Sequence, residues 1–290
     1  MYRSGLLALI IIFQLTLGGC QALDDDVQTF DGARAYQLAA EQLSFGPRHP
    51  GTIAHLQIGD WILEQLQVAG WEAYEQPFTY RSQPLRNLIA KAGPAESGII
   101  ILGAHYDTRA LADADPDNPT QPVPGANDGA SGVAVLLELA RVLAPDDLCK
   151  QVWLVFFDAE DSGNLDGWEW AAGSRYFVEV MEIVPQAVVV VDMVGDADLQ
   201  LYYERNSDAD LSQEIWTLAE QLGNTAFIPE PRHAMTDDHA AFARQGIPAV
   251  DIIDFDYPFW HTTQDTLERI AAESLGQVGR TLEAWVRSCP

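Results

Sequence analysis

The chain has 290 residues, 48% of them hydrophobic, which is ample for one sizeable core and excludes intrinsic disorder. Acidic residues outnumber Lys and Arg by 43 to 16, and the net charge is −27, with lysine only at Lys91 and Lys150. So negative a chain repels nucleic-acid phosphates and anionic headgroups, leaving a solubilising acidic surface or a preference for cationic peptides.

The N-terminus reads as an export leader. Arg3 precedes a nearly continuous apolar run from Leu6 to Leu17, too short to span a bilayer core of ~30 Å. The run leads into Leu17-Gly18-Gly19-Cys20, a bacterial lipobox pattern that makes Cys20 the lipidated first residue; a plain cleavable signal peptide is the alternative. The polar, acidic stretch Gln21 to Gln28 then reads as a tether. In an oxidising compartment Cys149 and Cys289 are free to pair, and a disulfide pinning the last helix is expected.

Helical periodicity covers Asp31 to Leu43 and Ala54 to Ala69, where Ile58, Trp61, Ile62, Leu66 and Ala69 share a face and Gly70 stops the helix. Strands follow at Glu72–Tyr80, Asn87–Ala92 and Gly98–Ala104, the apolar run Ile99 to Leu102 being typical of a strand buried on both faces. Gly129 to Leu143 reads as a helix, Val152–Phe157 as a strand, and a helix begins near Gly173. Strands at Ala187–Val191, Leu199–Tyr203 and Ala249–Ile253 alternate with helices at Leu211–Leu222, Asp238–Arg244 and Leu275–Val286. This alternation predicts a single-domain α/β fold, a mixed, mostly parallel sheet flanked by helices on both faces, with its chemistry at the carboxyl ends of the strands.

Candidate ligands gather at those ends. His105-Tyr106-Asp107 follows the third strand, Asp158 to Asp161 the fourth, Asp192 the next, and His261 comes shortly after the last. Asp128 stands in the Gly125-Ala126-Asn127-Asp128-Gly129 turn that opens a helix. Each residue alone is an ordinary capping or loop residue, but imidazoles and carboxylates converging on one edge are the donor set of catalytic zinc.

The stretches His105-Tyr106-Asp107, Gly125 to Ser131, Phe156 to Asp161, Gly173-Ser174-Arg175, Asp192, Asp237-Asp238-His239 and Trp260-His261-Thr262 occur in an order that resembles the M28-type zinc aminopeptidases and, more closely, the glutaminyl cyclases of the same fold. The resemblance runs from about Gly46 to Arg280 and implies a zinc enzyme acting on peptide or protein N-termini. By position it implies that Asp128, Asp161 and His261 hold the principal zinc. His105 and Asp192 would complete a second site bridged by Asp128. Glu160 would be the general acid/base, Asp192 and Asp237 its acidic partners in a cyclase, Trp260 a wall of the substrate pocket, and Asp107 the partner that orients His105; apart from the resemblance, His239 reads as a support behind the site.

Residues 1–20 are thus expected to be a lipoprotein-type signal peptide, 21–30 an acidic tether and 31–290 the zinc-dependent catalytic domain. The protein is expected to be an extracytoplasmic bacterial monomer that meets a membrane only through the lipid on Cys20.

The resemblance leaves two activities open. One zinc suffices for a glutaminyl-peptide cyclotransferase, in which the substrate's own amine attacks; a metallo-aminopeptidase would use two. The long loop from Asp161 to Gly173, with Trp168 and Trp170, and Trp260 directly before His261 resemble the cyclases. Asp161 departs from the Glu most frequent at its position, and Thr236 from a Gln of the animal cyclases. A non-catalytic binding domain, the third reading, conflicts with the retention of Glu160 and all ligands.

Asp113, Asp115, Asp117 and Asn118 have neither the Gly nor the Glu of a calcium loop and read as a solvated acidic loop near the site mouth. Ser131 and Ser174 lack a nucleophile elbow, and His49 and His55 read as packing or capping residues.

Overall fold

The computed structural model describes residue 1 and residues 28–290; the expected leader, Cys20 and most of the tether lie outside the described residues. Two helices come first, α1 (Gly32–Leu43) and α2 (Ile53–Val68). Asp31 and Thr52 cap them by accepting backbone N–H groups of the first turn, so the expected helix beginning at Asp31 begins one residue later. A hairpin follows, β1 (Glu72–Tyr80) and β2 (Gln83–Ala92). Arg81 and Ser82 both take positive φ at its two-residue turn, the hand that suits the twist of paired strands.

The remaining elements are β3 (Ile99–His105), α3 (Ala130–Val142), β4 (Gln151–Phe157), α4 (Ala172–Val180), β5 (Ala187–Asp192), β6 (Leu201–Tyr203), α5 (Ala209–Gln221), β7 (Phe227–Pro231), α6 (Asp238–Ala243), β8 (Ala249–Ile253) and α7 (Ala272–Arg287). The main sheet has the order β1-β2-β4-β3-β5-β8; β4, β3, β5 and β8 run parallel, and the hairpin β1–β2 joins antiparallel at one edge. β6 and β7 form a separate parallel pair, and β7 carries no periodicity that the sequence reading detected.

The parallel strands are buried on both faces, and the two-residue period sorts their side chains. Ile100, Leu102, Val152, Leu154, Val189 and Val191 join the larger core, with α1, α2, α3, α5 and α7. Ile101, Trp153, Val155, Val188 and Val190 meet Phe177 of α4 and Phe242 of α6 on the opposite face. Helix α3 lies inside the first layer, and of its residues only Arg141 is not fully buried, which explains why it is apolar nearly all round. Cys149 and Cys289 are disulfide-bonded, tying the end of α7 to the segment before β4. Among the described residues no helix is long and apolar enough to cross a membrane.

Candidate metal centre and active site

Strand register assembles the site. Gly103 of β3 is level with Val190 of β5, so two residues further on His105 and Asp192 stand side by side, with Nε2 3.0 Å from Oδ1. Phe157 of β4 is level with His105, which carries the loop Asp158 to Asp161 over the same edge. Asp128 comes from the turn before α3. Gly129 permits that approach, because a Cβ there would lie 2.6 Å from the His105 ring. His261 closes the site from the segment after β8, and it takes positive φ, as do Ala159 and Met193 beside Glu160 and Asp192. Non-glycine residues held in that region are a recurrent mark of functional sites.

The five candidate ligands form two groups that share Asp128: His105, Asp128 and Asp192, and Asp128, Asp161 and His261. All are buried, and the donor atoms of each group lie within 4.8 Å of one another. Asp128 turns one oxygen to each, Oδ1 at 3.2 Å from His105 Nε2 and Oδ2 at 3.8 Å from His261 Nε2, while Asp161 Oδ1 lies 2.9 Å from His261 Nε2. Asp128 Oδ2 and Asp161 Oδ2 are buried without a hydrogen-bond partner. Buried carboxylate oxygens in that state are costly unless a cation meets them, and imidazole with carboxylate suits zinc. The residues fit the ion.

The protons follow the same logic. Burial raises the Asp161 carboxyl to about 6, helped by Asp128 and opposed by His261. Burial likewise takes Asp192 to about 7, with His105 opposing and Asp237 adding. Glu160 is pushed well above the usual carboxylate range by burial and then by the charge of Asp237. Burial disfavours a charged His105, yet Asp192, Asp107 and Asp128 outweigh it and hold its pKa well above the ordinary value. A bound divalent cation would reverse these preferences, drawing protons off the site.

A cavity of about 210 Å³ opens onto these groups, and Glu160, Asp192, Asp237, Trp170, Phe255 and Trp260 line it. Trp260 stacks on His261 at the edge of this cavity. Trp170 also reaches the cavity, whereas Trp168 packs against Tyr80 at 5.2 Å.

The two expected supports, Asp107 and His239, each have further partners in the structure. Asp107 lies 3.5 Å from His105 Nδ1, which makes no hydrogen bond. Its carboxylate also accepts the backbone N–H groups of Glu160 and Asp161 at 3.0 and 3.2 Å, so it holds the loop as well as facing the imidazole. His239 touches neither ligand group; its nitrogens face Glu204 at 3.2 Å and Asp251 at 3.4 Å, behind Asp237. His55, read as a packing residue, is buried and pairs with Asp158 at 2.7 Å.

The sequence reading missed three residues that organise the site. Asp265 accepts N–H from Asn127 and Asp128, at 2.8 and 3.2 Å, and O–H from Tyr257 at 2.7 Å. Its place four residues after His261 was the only signal available. Arg109 and Asp113 form a two-bond pair beside His261, with Arg109 holding the Asp113 carboxyl below the usual range. The Arg-x-x-x-Asp spacing was visible, but its direction was not.

A profile of peptidase family M28 matches residues 87–286. The chain belongs to peptidase family M28. Among solved structures, this M28 chain is 35% identical to a glutaminyl cyclase of Porphyromonas gingivalis, with a TM-score of 0.85 over 89% of this chain and 98% of that one. It is 31% identical to a Zn-dependent exopeptidase of Parabacteroides distasonis, with a TM-score of 0.83 over 90% and 99%. A mouse glutaminyl-peptide cyclotransferase-like protein is 27% identical over 282 residues, spanning 82% of this chain and 71% of the relative. The M28 chain is thus an enzyme of the glutaminyl cyclase or exopeptidase kind, with the α/β fold that its strand pattern predicted.

Proposed function

We propose that this protein is a zinc-dependent glutaminyl-peptide cyclotransferase that converts N-terminal Gln of peptides to pyroglutamate with loss of ammonia. The observation that carries the reading is the cavity itself, where an aromatic wall of Trp260, Phe255 and Trp170 faces a buried Glu160. An indole wall suits the flat, uncharged amide of glutamine, and about 210 Å³ suits one side chain rather than an extended peptide.

Asp128, Asp161 and His261 would hold the zinc, which when bound polarises the γ-carbonyl of the substrate. The substrate α-amine attacks the γ-amide carbon, and Glu160 takes a proton from that amine. Glu160 then gives the proton to the amide nitrogen as the C–N bond breaks and ammonia leaves. Asp192 and Asp237 line the cavity with Glu160, and burial together with the charge of Asp237 keeps the Glu160 carboxylate basic enough for both transfers. No water need enter the reaction.

A two-metal aminopeptidase is the second reading, favoured by one observation: both ligand groups are complete and share Asp128. The deciding experiment incubates zinc-loaded protein with a Gln-initiated and a Leu-initiated peptide and follows both by mass spectrometry. Loss of ammonia from the first, with the second intact, supports the cyclase; free Leu with two bound zincs per chain overturns it.

We further propose a monomer held outside the cytoplasm by a lipid on Cys20; the leader pattern ending there supports the export and the anchor. The Cys149–Cys289 disulfide agrees with an oxidising compartment. Metabolic labelling with a fatty acid tests the anchor, and an unlabelled Cys20→Ser variant is the expected control.

A further inference from the structure

Arg109 is fully buried beside the site without itself lining the cavity. Its guanidinium makes four hydrogen bonds. Nε and Nη2 reach the two oxygens of Asp113 at 2.7 and 2.5 Å, and Nη1 reaches the backbone carbonyls of Asp161 and Gly163 at 3.0 and 3.1 Å. The carboxylate it holds stands with Oδ1 3.2 Å from His261 Nδ1, while Nε2 of the same ring faces Asp161 and Asp128. Trp260 covers the His261 ring and Trp170 lies 6.0 Å away in a nearly parallel plane, with Arg109 5.0 Å from the Trp170 ring centre.

We infer that Arg109 and Asp113 form a positioning clamp for the Asp128–Asp161–His261 metal site. Asp113 accepts the Nδ1 proton of His261, which leaves Nε2 as the lone-pair nitrogen turned to the ion. Arg109 aims Asp113 and, through the Asp161 carbonyl, fixes the backbone of a second ligand. One guanidinium thereby sets the spacing between two ligands drawn from distant parts of the chain. Its fork geometry is needed, because a lysine could not hold both carboxylate oxygens and two carbonyls together. The inference rests on His261 being a ligand and is indifferent to whether the enzyme cyclises or hydrolyses.

Among the described residues no hydrogen bond or ion pair joins Arg109 or Asp113 to His105, Asp128 or Asp192, so the clamp acts on Asp161 and His261. Asp115 supplies an internal control. It lies in the same loop and accepts Thr263 N–H and O–H at 3.1 and 2.5 Å, so it ties the loop to the chain after His261 without touching the ring.

The test measures zinc affinity by chelator competition in the full chain and in Asp113→Asn, Arg109→Lys, Asp115→Asn and His261→Ala, alongside the thermal midpoint of each metal-free form. Asp113→Asn is expected to bind zinc about 10- to 100-fold more weakly, as for other partners of ligating histidines, with an unchanged metal-free midpoint. Arg109→Lys should weaken it in the same direction, and Asp115→Asn should bind as the parent does. Parental affinity in Asp113→Asn overturns the clamp, and so does an equal loss in Asp115→Asn, which would make the effect one of loop order. Parental affinity in His261→Ala would remove the ligand assignment, and the clamp with it.

Discussion

Trp260 lies flat on His261, with ring centres 3.6 Å apart and planes inclined by 22°. The contact joins the wall of the cavity to a residue of the metal centre, so the group that would recognise a substrate side chain is also the one that braces a ligand. It arises because the segment after β8 turns through the left-handed conformation at His261, which lets two successive rings stack instead of diverging.

Truncating that wall should therefore affect binding and chemistry together. Trp260→Ala is expected to raise KM for a Gln-initiated peptide by up to about tenfold, the size of a lost aromatic contact, and to lower kcat as His261 loosens. Trp260→Phe should recover most of both. Steady-state kinetics on the three proteins checks this, and an unchanged KM in Trp260→Ala would remove Trp260 from the pocket.

Glu160 holds the proton-handling position. Glu160→Gln should lower kcat by about 10²- to 10⁴-fold while zinc content stays at the parental level. Metal analysis of the purified variant is the control. Zinc lost along with activity would mean that Glu160 and Asp161 have exchanged roles.

Acid should stabilise the metal-free protein. Burial raises Asp265 and Asp254 to about 7, from an ordinary value of 3.8, and Asp192 moves to about 7 as well. Between those limits the native chain binds more protons than the unfolded chain, so stability falls as pH rises through the window. With a chelator present, Tm should be higher at about pH 5 than at about pH 8. Zinc should shrink or reverse the difference, because it displaces protons from Asp161 and Asp192 and binds better as pH rises. A metal-free Tm that climbs steadily from acid to neutral pH would contradict the sign.

The disulfide closes a long loop, since Cys149 and Cys289 are 140 residues apart. Replacing both by Ser should cost about 2–5 kcal/mol and lower Tm by roughly 5–15 °C in a chain of this size. Differential scanning calorimetry reads the shift. Activity at 25 °C should persist, because the bond ties α7 to the end of the sheet remote from the ligands.

By itself the sequence determined the order of the elements other than β7, the layered α/β class and the strand ends that carry His105, Asp158 to Asp161 and Asp192. These depend on local information: a two-residue or 3.6-residue period, an apolar run, and a polar residue where the run stops. Asp128 and His261 stood out as candidates in a turn and after the last strand, and resemblance in the spaced motifs gave them their implied roles as ligands.

Only the tertiary structure decided what those residues' neighbours do. Asp107 grips the Glu160–Asp161 backbone besides facing the His105 ring, because β3 and β4 run level and place that loop directly over its carboxylate. His239 falls behind Asp237 because α6 begins there and turns it towards β8. Asp113, indistinguishable in sequence from a solvated acidic loop residue, became a partner of His261 only when Arg109 was buried beside both. Side-chain direction in a loop depends on contacts made by residues far away in the chain, and those exist only once the sheet has closed the site.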